Sequence, residues 1–212
     1  MSFRPIRPIG IMIFTVIIVQ CFINTSPIFS NATESSTEKR GYDAFIQDVS
    51  TYLLDNPNDP KGYNERAYYY LMTGEYQKAL SDYNKAVELD PDYANALYNR
   101  GMIYEMHLHD NDAALKDFTA AVSSDSNMID AYLEMGKIYT RKSMYHKAID
   151  CYGRFIIINP KEPEAYYNRA IVYYFTKDYD KSWSDIKKTK ELGGEVYEGF
   201  IQRLSKTSGR NE

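Results

Sequence analysis

Residues 60–196 repeat one pattern of residues four times, at a spacing of 34 residues that lengthens once to 35. Each copy has an early tyrosine or leucine, at Tyr63, Leu97, Tyr132 and Tyr166. A further tyrosine follows seven residues later in every copy, at Tyr70, Tyr104, Tyr139 and Tyr173. Because a period of this length is the signature of a repeat architecture, the sequence predicts four structural units over 60–93, 94–128, 129–162 and 163–196.

Other positions of the repeat strengthen this register. A small residue lies between the two aromatics, at Ala67, Gly101, Gly136 and Ala170, and prolines 91 and 160 end two units. The second half carries a small residue and then an aromatic or apolar one, at Ala79 and Tyr83, Ala114 and Phe118, Ala148 and Tyr152, and Ser182 and Ile186. This pattern resembles the tetratricopeptide repeat (TPR) family. The resemblance implies an all-α protein, a right-handed α-solenoid of four helix-turn-helix repeats, with a concave groove for a partner protein or peptide.

Short helices are expected at both ends of the repeats, because the terminal units of a solenoid would otherwise expose an apolar face. Residues 42–57 place Phe45, Val49, Tyr52 and Leu53 on one helical face, which predicts an N-terminal capping helix. Residues 197–206 predict a C-terminal capping helix, followed by a polar tail over 207–212. The Ser- and Thr-rich stretch 33–41 predicts a flexible linker.

The first 32 residues have the pattern of an export signal or of an N-terminal membrane anchor. Arg4 and Arg7 precede an apolar run from Ile9 to Val19 that resumes after Gln20. The run is shorter than the roughly 20 residues of a spanning helix, and Ala32 is a candidate cleavage point. The sequence leaves both alternatives open, and in both the repeats lie outside the cytoplasm.

Composition and residue spacing argue against several functions. The net charge of −4 and the pI near 5.5 disfavour nucleic-acid binding, which needs a basic face. The chain has neither a glycine-rich phosphate loop nor a nucleophile with a matched base, so we expect a protein that is not an enzyme and needs no cofactor. His107 and His109 lie two residues apart, a spacing that points helical side chains away from each other, so no metal site is predicted.

One pair of positions changes in concert between the repeats. Three first helices carry an arginine where the paired second helix carries an aspartate, at Arg66 and Asp82, Arg100 and Asp117, and Arg169 and Asp185. The third repeat has Met135 and Cys151 at these two positions. Because the positions face each other in an antiparallel helix pair, we predict three structural ion pairs and one apolar contact.

The first helices of TPR proteins line the groove, so their positions not used for packing are candidate binding residues. They are Asn64, Tyr68 and Met72 in the first repeat, Asn95, Tyr98, Met102 and Met106 in the second, Leu133, Lys137 and Arg141 in the third, and Tyr167, Ile171 and Tyr174 in the fourth. Aromatic and methionine side chains suit a surface that adapts to a peptide.

Some TPR proteins bind a chaperone's C-terminal carboxylate with asparagine and basic side chains. Asn99 and Asn168 match that asparagine, but acidic Asp130 and Glu134 stand where the basic side chains are needed. The expected function is therefore a different one, an exported or membrane-anchored scaffold for an unidentified protein or peptide partner. The alternative is a structural protein of the cell envelope that associates with itself as a homo-oligomer. The membrane is expected to be contacted through the N-terminal segment alone.

Overall fold

A computed structural model describes the backbone of residues 31–210 and the side chains of residues 41–210. Ten helices cover this part of the chain, and the repeats contain eight of them. The helices are α1 (Asn31–Asp55), α2 (Pro60–Met72), α3 (Tyr76–Leu89), α4 (Ala94–Met106), α5 (Asn111–Ser124), α6 (Ile129–Arg141), α7 (Tyr145–Ile158), α8 (Pro163–Phe175), α9 (Tyr179–Glu191) and α10 (Glu198–Ser208). The described residues form an α-solenoid of four helix pairs, which confirms the predicted fold class.

Local sequence signals define where many of these helices begin. Pro60 and Pro163 occupy the first helical positions of α2 and α8, where the missing N–H of proline costs no hydrogen bond. The Asp59 side chain accepts a hydrogen bond from the Lys61 backbone N–H, and Asp110 accepts one from the Ala113 backbone N–H.

The turn inside each repeat contains one residue in the left-handed conformation. It is Gly74 with φ of 80° in the first repeat, and then His109 at 54°, Ser143 at 57° and Lys177 at 64°. Glycine adopts this conformation without strain, whereas in the other three residues the Cβ atom makes it sterically unfavourable. The sequence therefore indicates the turn directly in the first repeat alone, and the register of the helices imposes it on the rest.

The small residues of the first helices make room for the rings of the second helices. A Cβ atom added to Gly101 would lie 2.8 Å from the Phe118 ring, and one added to Gly136 would lie 2.5 Å from the Tyr152 ring. Such distances are shorter than any van der Waals contact, so the close approach of the paired helices requires a residue without a side chain here. Phe118 and Tyr152 are consequently buried.

The three predicted ion pairs are confirmed. Each arginine donates two hydrogen bonds to both oxygens of its aspartate, with Nε–Oδ2 distances of 2.7, 2.7 and 2.8 Å for Arg66, Arg100 and Arg169. Asp82, Asp117 and Asp185 are buried. In the third repeat Met135 and Cys151 lie in one buried apolar cluster with Phe118 and Ile138, as the concerted change predicts.

Two terminal predictions differ from the structure. Helix α1 begins at Asn31, so the backbone of the stretch predicted as a linker over 33–41 is helical. Residues 31–40 contain neither proline nor glycine, and their Ala, Glu, Lys and Arg residues favour helix as strongly as their Ser and Thr favour loop. Helix α10 continues through residue 208, past the predicted start of the tail, and ends at Gly209 in the left-handed conformation.

The predicted export signal or anchor in residues 1–32 falls almost wholly outside the described residues. Among the residues that the structure describes, no helix has the length and apolar character needed to cross a membrane.

Candidate peptide-binding groove

The face lined by α2, α4, α6 and α8, here called the groove face, contains the thirteen predicted binding residues. Those of the first two repeats remain partly accessible: Asn64, Tyr68 and Met72 are half-buried, and Asn95 and Met106 are exposed. Tyr98 and Met102 are half-buried because they also pack against the core that contains Met135. These two residues therefore stabilise the contact between neighbouring first helices as well as lining the surface.

The prediction for Leu133 is wrong. Its side chain is only 6% exposed and packs in the core with Tyr152 and Phe155. The residue stands at a groove position of the repeat, but the fourth repeat stacks closely on the third and covers it. Sequence spacing identifies the helix face and does not determine how far the next helix overlaps it.

The fourth repeat offers little open surface, because α10 lies against the predicted residues. Tyr167 and Tyr174 both contact the Phe200 ring edge-to-face, with centroid distances of 6.0 and 5.6 Å. Ile171 packs in the same cluster, which Leu204 and Ile201 of α10 complete. The C-terminal capping helix thus occupies the fourth repeat's share of the groove face and leaves the first three repeats accessible.

Acidic and basic side chains connect successive first helices. Lys137 of α6 contacts Glu134 of the same helix at 3.1 Å and Glu164 of α8 at 2.7 Å. Arg141 contacts Glu105 of α4. Lys137 and Arg141 were predicted to bind a ligand. In the structure both side chains form ion pairs with carboxylates of the groove face itself. The ion pair between Glu134 and Lys137 could have been predicted from their spacing of three residues on one helix.

Burial changes the acid–base behaviour of two carboxyl groups at the centre of this face. Burial raises the pKa of Glu134 to about 7, because removal from water penalises the charged form, and Lys137 opposes the shift. The pKa of Asp130 is also raised, first by burial and then by Glu162. Among the described side chains, Asp130 has neither an ion pair nor a hydrogen bond to its carboxylate.

Two polar atoms on this face have no hydrogen-bond partner among the described residues. They are Oδ1 of Asn64 on α2 and the hydroxyl of Tyr98 on α4, and both are inaccessible to solvent. Burial, reinforced by the negative charge of Glu134, raises the pKa of Tyr98 above that of a free phenol. Because water cannot reach either atom, neither belongs to the accessible binding surface of this face.

His107 lies at the end of α4, next to the turn of the second repeat, and packs against an aromatic ring. The His107 ring stacks on Tyr76 at a centroid distance of 3.6 Å, and burial lowers its pKa. Over the described part of the chain, no three His, Cys, Asp or Glu side chains converge in a group that could hold a metal ion.

Two models of known repeat families match parts of this fold. A family model described as TPR repeat matches residues 70–107 and 136–175, and a second, described as tetratricopeptide repeat, matches residues 94–128. The chain is built from tetratricopeptide repeats. The register of the second model coincides with the second unit predicted from the period.

Individual relatives share parts of this TPR chain. A protein SGT1 homolog from Bos taurus is 36% identical over 59 residues, which are 28% of this chain and 18% of that protein. The chain therefore matches less than a fifth of that relative's length. A crystal structure of MamA is 25% identical with a TM-score of 0.68, covering 78% of this chain and 96% of that one. The structure of YrrB, described as a TPR protein with an unusual peptide-binding site, is 15% identical with a TM-score of 0.63, covering 82% and 87%.

Proposed function

We propose that this TPR chain is a scaffold that binds a peptide or helix of a partner protein on the groove face of its first three repeats. The observation that carries the proposal is the row of partly accessible polar, aromatic and methionine side chains along α2, formed by Asn64, Tyr68 and Met72 beside α4. Accessible Asn95 and Met106 lie on α4. A bound segment would cover the apolar parts of Met72 and Met106 and hydrogen-bond to the exposed Asn95 amide.

The closed fourth repeat limits the length of the bound segment. Because α10 packs on Tyr167 and Tyr174, the accessible face extends over the first helices of three repeats. The unpaired carboxylate of Asp130 favours a segment with a positive charge at its end nearest the third repeat. No bond chemistry is required, since recognition rests on a preorganised surface.

Photo-crosslinking in the protein's own cells tests this proposal. A crosslinking residue placed at exposed Asn95 should capture one protein, and the same residue at exposed Lys187 on α9 should not. The purified partner should then bind the chain with Asn95→Ala and Met106→Ala at least tenfold more weakly. Capture from both positions alike, or of a second copy of this chain alone, would overturn the groove proposal, and the second result would favour the self-associating alternative.

We further propose that the protein is exported or anchored in a membrane by its first 32 residues. The support is the sequence pattern of two arginines followed by an apolar run. N-terminal sequencing of the native protein separates the two forms. A start at Thr33 would indicate a cleaved signal, an intact start in the membrane fraction would indicate an anchor, and an intact start in the cytoplasmic fraction would contradict both.

A further inference from the structure

Helix α1 packs on the first repeat as if it were the second helix of a preceding repeat. Ser50 Oγ accepts a hydrogen bond from Arg66 Nη1 at 3.2 Å, and Asn84 Oδ1 accepts one from Arg100 Nη1 at 3.0 Å. Both acceptors precede their arginine by 16 residues. The Leu53 side chain would also lie 2.7 Å from a Cβ atom at Gly62, which shows how closely α1 approaches α2.

This register identifies the face of α1 that a first helix would cover. Phe45, Val49 and Tyr52 stand one period of 34 residues before Ala79, Tyr83 and Ala86. In the four complete repeats the residues at these three positions are at most 2% exposed: Ala79, Tyr83, Ala86, Ala114, Phe118, Ala121, Ala148, Tyr152, Phe155, Ser182, Ile186 and Thr189. Phe45 and Tyr52 are 48% and 47% exposed. The face that closes every complete repeat is therefore open on α1.

The same register places a carboxylate on this open face. Asp48 stands 34 residues before Asp82, which is the ion-pair position of the repeats. Asp82 receives two hydrogen bonds from Arg66, at 2.7 and 2.8 Å. Asp48 is exposed and has no ion pair or hydrogen bond to its side chain among the described residues 41–210. Phe45 stacks on Tyr69 of α2 at a centroid distance of 5.1 Å. Within residues 41–210, however, the open face lacks the first helix that covers it in the complete repeats, and it lacks the arginine that three of those helices supply.

The charges of α1 decide what kind of helix can cover it. Residues 41–55 contain Asp43, Asp48 and Asp55 and no basic residue, so two copies of this face would bring like charges together. Three of the chain's four first helices carry the complementary pattern, an arginine followed by a small residue, at Arg66 and Ala67, Arg100 and Gly101, and Arg169 and Ala170. All three arginines are already paired within their own repeats.

We propose that the open face of α1, formed by Phe45, Asp48, Val49 and Tyr52, binds an amphipathic helix of another protein that carries an arginine next to a small residue. The bound helix takes the place of a first helix and completes the unfinished repeat, with its arginine on Asp48 and its apolar side chains on Phe45 and Tyr52. This surface is separate from the groove face and does not depend on it.

A peptide with the sequence of residues 94–106 is the probe, because it contains the Arg-Gly pair of α4 in a helix of 13 residues. Its binding to the full chain is measured by fluorescence anisotropy. We expect Asp48→Lys in the chain to weaken binding at least tenfold, and a peptide with Arg100→Asp to restore binding to that variant. The matched control is Asp43→Lys, which makes the same charge change at an exposed position on the opposite side of the same helix and should leave binding within twofold.

Three results would overturn the proposal. They are absence of binding to the unaltered chain at millimolar peptide, equal losses from Asp48→Lys and Asp43→Lys, and loss of binding through Met106→Ala in the chain instead. The last result would place the peptide on the groove face and would support the proposed function while removing this one. A second copy of the chain is the remaining candidate occupant of the open face. Sedimentation of the chain with and without Phe45→Ser tests it, because a dimer that this substitution abolishes would assign the open face to a second copy.

Discussion

The third repeat and the other three repeats hold their paired helices together by different chemistry at the same two positions. Arg100 and Asp117 form a bidentate ion pair with their charges withdrawn from water, whereas Met135 and Cys151 lie in an apolar cluster. The helices pair in the same way in both cases. The two positions therefore act as one unit: both members are charged or both are apolar, because a single buried charge has no partner to offset its desolvation.

In the third repeat the buried charged residue is Glu134, which lies outside the Arg–Asp pair positions. Glu134 lies on the groove face of α6, is buried, and contacts Lys137, which also contacts Glu164 of the fourth repeat. The charges of the first, second and fourth repeats join the two helices of one repeat. The charges of the third join two neighbouring repeats, and they do so beside the proposed binding surface.

Removing one member of a buried ion pair should cause the greatest loss of stability. Asp117→Ala leaves Arg100 half-buried without its carboxylate, and we expect the free energy of unfolding to fall by roughly 3–5 kcal/mol. Denaturant titration measures this. Asp112→Ala is the control, because Asp112 makes an exposed ion pair with Lys142 and should matter by less than about 1 kcal/mol. Equal losses from both variants would show that the buried pair has no special role.

The same rule applied in reverse predicts a rescue in the third repeat. Met135→Arg places a charge in the apolar cluster and should destabilise the chain by about 3 kcal/mol. Adding Cys151→Asp supplies the carboxylate and should recover most of the loss, as a double-mutant cycle by denaturant titration would show. Additive losses in the double variant would mean that the two positions are not the coupled unit inferred here.

Glu134 makes the stability of the third repeat depend on pH. Its pKa is raised from 4.5 to about 7 in the folded protein, so between these values the folded chain holds a proton that the unfolded chain releases. The free energy of unfolding should therefore fall as the pH rises from about 4.5 to about 7, by roughly 2–3 kcal/mol.

Glu134→Gln removes this titration and should flatten that part of the profile, measured by thermal or denaturant unfolding at each pH. The exposed Glu191→Gln variant should keep the slope of the unaltered chain. A slope that survives in Glu134→Gln would assign the pH dependence to another group.

The smallest effect is expected where both members of an ion pair change together. Arg100→Met with Asp117→Cys gives the second repeat the side chains of the third, and the stability should change by less than about 1.5 kcal/mol. The melting temperature of the double variant, set beside that of Asp117→Ala, tests this. A double variant as unstable as Asp117→Ala would show that the apolar pair needs surroundings found only in the third repeat.

The repeat period and its residue types were sufficient to predict most of the fold. Gly101 and Gly136 were part of the pattern that identified the repeats, and the concerted change at Met135 and Cys151 predicted which residues face each other. These features depend on short-range geometry inside one helix pair, which the pattern of a single repeat encodes. The left-handed residues Ser143 and Lys177 were not predictable, because neither serine nor lysine favours that conformation.

The amino-acid pattern is sufficient to predict the helices, their pairing and the ion pairs within each repeat. The accessibility of the predicted groove residues depends instead on the packing of the whole stack. Leu133 is buried, Tyr167 and Tyr174 are covered by α10, and Lys137 is engaged by two glutamates. The reason is that exposure depends on how far neighbouring elements overlap. That overlap is set by the summed packing of many side chains along the stack and not by the residues of any one repeat.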